Sequence, residues 1–386
     1  MLQGAKIGRH LAKISGFRYY STTEVTGSLK SSYLKGHVRL DPVNVPPKSY
    51  YGGIHTVTLY TGSSIIGQQG AKFVSSLLQS SRVPVDVQPI GADQEDEYYK
   101  SVLRNRAAVH VDIHADEKSK ARSLKICHDL DLYVFKTRTR TFPGYKGRYP
   151  CVDIQMIGQN NMGNYSELEY SPVNGVVEAL SVVTQAANRK YLEHAFAAAA
   201  AAGRRRVTLV NKAKEWPLND GAMVEDAKEI HSKYEDLELE LMEVEECISR
   251  LVTNPAYFDC LFASDRYATF LSTICSGVCG GANLFSAVEI GDNHAVFKPL
   301  QTKLSLTNYS NLSAYGIIST IADLLEYLGH QHCSEGLWAQ MQRTMDEGIR
   351  TVEFGGKDSD EFVICNINNQ LKCVGLGGNK DSGESE

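Results

Sequence analysis

Between residues 55 and 60 the chain alternates, His55-Thr56-Val57-Thr58-Leu59-Tyr60, and stops at Gly62. Alternation with a glycine behind it predicts a half-buried strand followed by a turn. Ala71 to Leu78 spaces its apolar residues as a helix does, and Val83-Pro84-Val85-Asp86-Val87 returns to the extended pattern. Strand, helix, strand at this spacing predicts βαβ units, hence an α/β fold with a largely parallel sheet. The middle of the chain repeats the grammar. Val152 to Ile157 predicts a strand, Val173 to Arg189 a helix, and alanine-rich Tyr191 to Ala202 a further helix. Gly203 suits the turn that ends it, and Arg204-Arg205-Arg206 suit its negative end; anion binding by the triplet is the alternative. Strands are predicted at Val207 to Val210 and Tyr257 to Ala263. Helices are predicted at Glu225 to Tyr234, Tyr267 to Cys279, Gly316 to Gly329 and Ser334 to Glu347.

Composition narrows the class. The 386 residues are 42% hydrophobic and 22% charged, which suits one large or two modest globular domains. No apolar run reaches the roughly 20 residues of a membrane-spanning helix. The net charge of −5 is spread along the chain, which excludes a nucleic-acid footprint or a polybasic membrane surface. The start differs from the rest: Lys6, Arg9, His10, Lys13 and Arg18 all precede the first acidic residue, Glu24. Leu2, Ile7, Leu11 and Ile14 can share one helical face, so residues 1–20 read as a mitochondrial presequence, with a disordered basic tail as the alternative. Residues 21–50, with Pro42, Pro46 and Pro47, read as an N-terminal arm, and the Gly-, Ser- and charge-rich residues 375–386 as a disordered tail. The nine cysteines include no pair at zinc-like spacing. They read as unbridged buried thiols in a reducing compartment such as the mitochondrial matrix.

Seven segments, in this order and spacing, carry a family resemblance: YGGIHTVTLYTG (51–62), LDLY (130–133), GNYSELEYSPVNGVVEAL (163–180), GRRRVTLVNKA (203–213), LVTNPAYFDCLFAS (251–264), CSGVCGG (275–281) and HAVF (294–297). Over about residues 51–362 the chain resembles the β-decarboxylating dehydrogenases of isocitrate and isopropylmalate. Within them it is most similar to the gamma-type regulatory subunits of the mitochondrial NAD-dependent enzymes. The resemblance implies an isocitrate/isopropylmalate dehydrogenase-like fold rather than a Rossmann fold. A large α/β domain would comprise 51–131 and 280–374, a smaller α/β domain 132–279. The cleft between them would be completed across a dimer interface.

The family reaction oxidises a 2-hydroxy acid and expels a carboxylate as carbon dioxide. It needs arginines for the substrate carboxylates, a divalent cation to polarise the reacting oxygen, and a lysine and a tyrosine to move protons. The resemblance places Thr269 and Thr273 where active members carry two metal-binding aspartates. Hard cations need anionic oxygens, so two hydroxyls leave the site two charges short. Glu245 stands where a third aspartate is donated across the dimer. Asp265 is either a displaced ligand or a surface or capping residue. Cys127, Thr137 and Gly158 stand where the substrate arginines belong. Nearby Arg138, Arg140 and Arg148 form either another anion site or a solvated face.

At the adenine end, Lys298 to Thr302 and Tyr315-Gly316 replace the family's His-Gly-Thr-Ala-Pro and Asn-Pro, and Gly62-Ser63-Ser64 replaces an acidic Gly-Asp-Gly turn. No metal and no NAD are therefore expected in this chain; Mg or Mn and NAD belong to a catalytic partner. Tyr165 and Lys212 match the family's proton-handling pair, and that lysine reaches into the neighbouring subunit's cleft. Lys212 and Glu245 are thus expected to serve a partner's site. The expectation is a non-catalytic, regulatory-type subunit that captures a catalytic isocitrate dehydrogenase subunit. Binding of citrate or ADP, a property of regulatory relatives, is weakened by the altered arginines. An active decarboxylase with a relocated metal site and a non-enzymatic mitochondrial structural protein are the alternatives.

Overall fold

The computed structural model describes residues 47, 53–112, 117–142, 147–160, 163–304 and 312–374, with the side chains of 117–120, 163–167 and 373–374 excepted. The expected presequence, the arm apart from Pro47, and the tail lie outside the described residues.

The first third alternates strand and helix, as expected as far as β2 and then through three elements that were not predicted: β1 (His55–Gly62), α1 (Ile65–Ser81), β2 (Val85–Gly91), α2 (Glu95–Asn105), β3 (Ala107–His110) and α3 (Glu117–Asp129). Ser64 caps α1 by accepting the Gly67 N–H at 3.0 Å. Four strands then run in succession, β4 (Val134–Arg140), β5 (Asp153–Gln159), β6 (Gly163–Val173) and β7 (Val176–Val182), before α4 (Gln185–Ala201). The helix expected from Val173 to Arg189 is therefore corrected. Asn174-Gly175 turns the chain, with Gly175 at φ +83°, and the valine-rich run pairs back as β7. The helix begins only at Gln185, capped by Thr184. It ends as expected, with Gly203 in the left-handed region at φ +65°.

Next come β8 (Arg206–Asn211), α5 (Asp220–His231), β9 (Glu238–Glu243), α6 (Val244–Thr253), β10 (Cys260–Ala263) and α7 (Asp265–Val278). The strand expected from Tyr257 is shorter, because Pro255–Tyr257 form a 3-10 turn. The chain closes with β11 (Ser286–Ile290), β12 (Ala295–Pro299), α8 (Leu300–Lys303), α9 (Ala314–Tyr327), α10 (Gln331–Asp346) and α11 (Asp360–Val374).

Ten strands form one sheet in the order β2-β1-β3-β12-β11-β4-β5-β10-β8-β9, while β6 and β7 pair separately. The outer pairs are parallel, and the pairs β12–β11, β11–β4 and β4–β5 are antiparallel. Val57, Val109, Phe135, Ile157, Leu209 and Phe262 are buried from strands across this sheet, each side chain contributing roughly 1.5–3 kcal/mol. In the register of β4 on β5, Thr137 faces Met156 and Arg138 faces Gln155. Side chains alternate between faces, so Phe135, Thr137 and Thr139 share one face of β4 and Lys136, Arg138 and Arg140 the other. Gly158 of β5 lies on the first of these, against α7: a Cβ there would stand 2.5 Å from the Ala268 Cβ. Cys127, Cys247, Cys260, Cys275, Cys279 and Cys333 are buried and unbridged, as expected, whereas Cys151 and Cys365 are unbridged but exposed.

Candidate functional site

Lys212 follows the last residue of β8, and Glu245 lies in the first turn of α6. The sequence singles them out separately; the structure brings them together, with Lys212 Nζ 2.5 Å from Glu245 Oε1. Each sets the other's charge. The carboxylate raises the ammonium pKa, and the ammonium, with a backbone N–H, lowers the carboxyl pKa. Glu245 remains mostly exposed, so the pair is presented at the surface. Beneath it lies an anchor that the motifs do not reveal. Buried Asp220, at the start of α5, accepts the Lys212 backbone N–H at 2.7 Å and the Tyr267 hydroxyl at 3.0 Å on the same oxygen. Asp220 thereby ties the Lys212 backbone to α7.

On α7, Asp265, Thr269 and Thr273 follow one another at one-turn intervals. Asp265 is buried in the first turn, where a negative charge complements the helix dipole. Thr269 is partly buried and Thr273 exposed. The Thr273 hydroxyl donates to the Thr269 carbonyl at 2.8 Å and is thus turned back onto the helix. Among the described residues, no three His, Cys, Asp or Glu side chains are grouped to hold a metal ion. Neutral hydroxyls, one already committed to the backbone, do not fit a divalent cation.

The three positions at which the resemblance leads one to expect substrate arginines are turned to packing. Thr137 is buried and donates to the Ser286 carbonyl at 2.7 Å. Gly158 has Ala268 where a side chain would have to go. Buried Cys127 donates its thiol to Glu289 Oε2 at 3.2 Å, and burial pushes its pKa up to about 12.

The positions expected at the adenine end are equally filled. Lys298, Leu300, Gln301 and Thr302 are buried. Lys298 and Lys303 each lie 2.6 Å from the buried Glu289 carboxylate, and Lys303 also reaches Asn160 Oδ1 at 2.8 Å. Burial opposes ionisation of Glu289, but the two ammonium groups hold its pKa far below the ordinary carboxylate range. An acid in β11 and a lysine in β12, both otherwise apolar strands, were the available signal for this cluster. Tyr315 is buried, its hydroxyl on the Ile349 carbonyl. At the first turn, Ser64 donates to Asp112 Oδ1 at 2.9 Å, and the same carboxylate packs against Gly62.

Tyr165 lies on β6, but its side chain is outside the described residues. Of the other arginines, Arg138 grips Asp153 with two bonds, and Arg148 stacks on Tyr149. Arg204 bridges Asp153 and Asp259, and Arg206 lies over the Tyr257 ring.

Comparison with known proteins places these positions in context. The family model "Isocitrate/isopropylmalate dehydrogenase" matches residues 99–370. The "Probable isocitrate dehydrogenase [NAD] gamma 2, mitochondrial" of Rattus norvegicus is 30% identical over 347 residues, covering 85% of this chain and 86% of the relative. The "Isocitrate dehydrogenase [NAD] catalytic subunit 5, mitochondrial" of Arabidopsis thaliana is 30% identical over 334 residues, covering 80% and 87%. The crystal structure of isocitrate dehydrogenase from Methylococcus capsulatus superposes with a TM-score of 0.75 at 22% identity, over 83% of this chain and 100% of that one. Gamma and catalytic relatives thus reach the same percentage identity, the gamma relative over more of this chain, and the solved structure shares the fold.

Proposed function

The chain belongs to the isocitrate/isopropylmalate dehydrogenase family, and from that premise we propose that it is a non-catalytic, regulatory-type subunit of an NAD-dependent isocitrate dehydrogenase in the mitochondrial matrix. Its partner is a catalytic subunit, which carries the Mg or Mn and the NAD. The observation that carries this reading is an asymmetry. The residues for the chain's own metal and substrate are neutral or packed away, whereas the Lys212–Glu245 pair is intact, charged and presented outward.

The surface supports a partner. Val173, Val176, Val177, Leu180 and Val182 of the β6–β7 hairpin are exposed. A lone two-stranded hairpin is marginal in water and gains stability when another sheet or chain covers it. Phe270, exposed on α7 between the two threonines, adds to the apolar surface.

At neutral pH Lys212 is an ammonium, its charge favoured by Glu245. What it offers a partner's cleft is therefore a positive charge or a proton, not a base. Asp220 holds the backbone from which it reaches. Citrate or ADP would have to bind without the arginines that positions 127, 137 and 158 lack, so such regulation is weak.

Co-purified with a catalytic subunit, the Lys212→Ala chain assembles normally by gel filtration but supports turnover lowered by about 10²-fold or more, the range of general acid–base contributions. Unchanged turnover sinks the reading. Measurable turnover by the isolated chain with isocitrate, NAD and Mn would equally overturn it.

A further inference from the structure

The face of β4 turned away from α7 carries Lys136, Arg138 and Arg140, and they line a cleft of about 580 Å³. Asp323 and Glu326 of α9 and Trp338 of α10 line it as well. The volume falls within the range of small-molecule sites, roughly 300–1,000 Å³.

The charges in this cleft are unevenly committed. Arg138 and Arg204 are spent on Asp153 and Asp259. Lys136 and Arg140 take part in no ion pair among the described residues, although both line the same space. Arg140 is nonetheless held in place: its guanidinium carbon lies 4.2 Å from the Trp338 ring centroid and 5.5 Å from that of Phe142. Stacking fixes the plane of a guanidinium and leaves its N–H edge to bind a carboxylate. The Ser286 hydroxyl of β11 donates to one oxygen of Asp323 on α9, and Glu326, one turn on, is exposed and in no ion pair among the described residues. The cleft thus sets uncommitted cations on a strand against carboxylates on a helix. A plain anion would meet Glu326, and a plain cation would meet Lys136 and Arg140. A molecule carrying both charges satisfies both.

We propose that this cleft binds a small zwitterion of the amino-acid class, its carboxylate on Arg140 and Lys136 and its ammonium on Glu326 and Asp323. Charge-assisted bonds at both ends supply affinity and select against molecules with a single charge. The cleft lies on the opposite face of the sheet from Thr269 and Thr273, so its occupancy can be tested without reference to Lys212.

The test is calorimetric titration of the full chain with each standard amino acid singly, beside acetate, methylammonium and inorganic phosphate. At least one amino acid binds with millimolar or better affinity, and the three controls do not. Arg140→Ala and Glu326→Gln each weaken that binding about tenfold or more, the loss expected of one charge-assisted contact. Circular dichroism and melting confirm that both variants fold, and Glu326→Gln is the safer of the two because its side chain is exposed. Three results overturn the proposal: no amino acid binds, acetate or phosphate binds as well as the best amino acid, or both variants bind like wild type.

Discussion

At position 269 a hydroxyl stands where the family resemblance leads one to expect a carboxylate, and a substitution can supply the charge. Thr269 and Thr273 lie one turn apart, with space and solvent on the Thr273 side. The double variant Thr269→Asp/Thr273→Asp, alone or with a partner, should bind Mn more tightly than the parent, read by a larger metal-dependent rise in melting temperature. If the variant gains nothing, the proposal that Thr269 and Thr273 stand at metal-ligand positions fails. Asp323 gives a second residue-scale expectation. Burial, helped by Glu326, raises its pKa to about 6 against the opposing pull of Ser286, Lys136 and Arg140. A folded-state pKa above the unfolded one means that this carboxyl favours folding at low pH, and the benefit is lost as pH rises from about 4 through 6. At pH 7 the ionised group costs roughly 1–3 kcal/mol. Asp323→Asn should therefore stabilise the chain above pH 6 and flatten its stability profile between pH 4 and 6; an unchanged denaturation midpoint at pH 7 refutes this. Lys212 and Glu245 were legible one by one from the motifs around them. Their mutual contact was not, because it depends on where β8 ends relative to α6, a tertiary distance that no local pattern encodes.

Among the elements, the β6–β7 hairpin shows where periodicity misleads. A run of valines and leucines from Val173 can be counted as a helical face or as strand alternation. The deciding signal was Asn174-Gly175, the dipeptide that most favours a two-residue hairpin turn. Length added to the error, since α4 follows after only two residues and the two segments merge into one apparent helix. The hairpin's exposure also yields an expectation. Val177→Lys/Leu180→Lys places charges on surface that is already exposed, so the chain should fold with a melting temperature within a degree or two of wild type. Co-purification with a catalytic subunit should fall by about tenfold or more. Undiminished capture would place the interface elsewhere. By contrast α7, the helix that carries Thr269 and Thr273, was predicted to within two residues at its start and one at its end, because its apolar stripe faces β5 and repeats without interruption.

For the whole molecule, the parallel wings of the sheet followed from strand–helix–strand spacing, whereas its antiparallel centre did not. Connections such as β4 to β5, with no helix among their described residues, carry little periodic signal. The centre is also where buried charge joins distant parts of the chain. Glu289 on β11 meets Lys298 on β12, Lys303 on α8 and Cys127 on α3, and Lys303 continues to Asn160 after β5. Removing one member leaves its partners buried without compensation. Glu289→Gln should cost about 3–5 kcal/mol, a large share of the stability of an ordinary domain. Urea denaturation would expose a loss below about 1 kcal/mol, which would mean that the two lysines reach water instead. The strand order has a last consequence for synthesis. β11 and β12 are wedged between β3 and β4, which are made more than a hundred residues earlier. Until residue 299 has left the ribosome, both of those older strands present raw backbone edges, the kind of surface on which nascent chains stick to one another. Chaperone occupancy of this polypeptide should therefore persist through most of its translation and drop sharply once the hairpin slots into the gap.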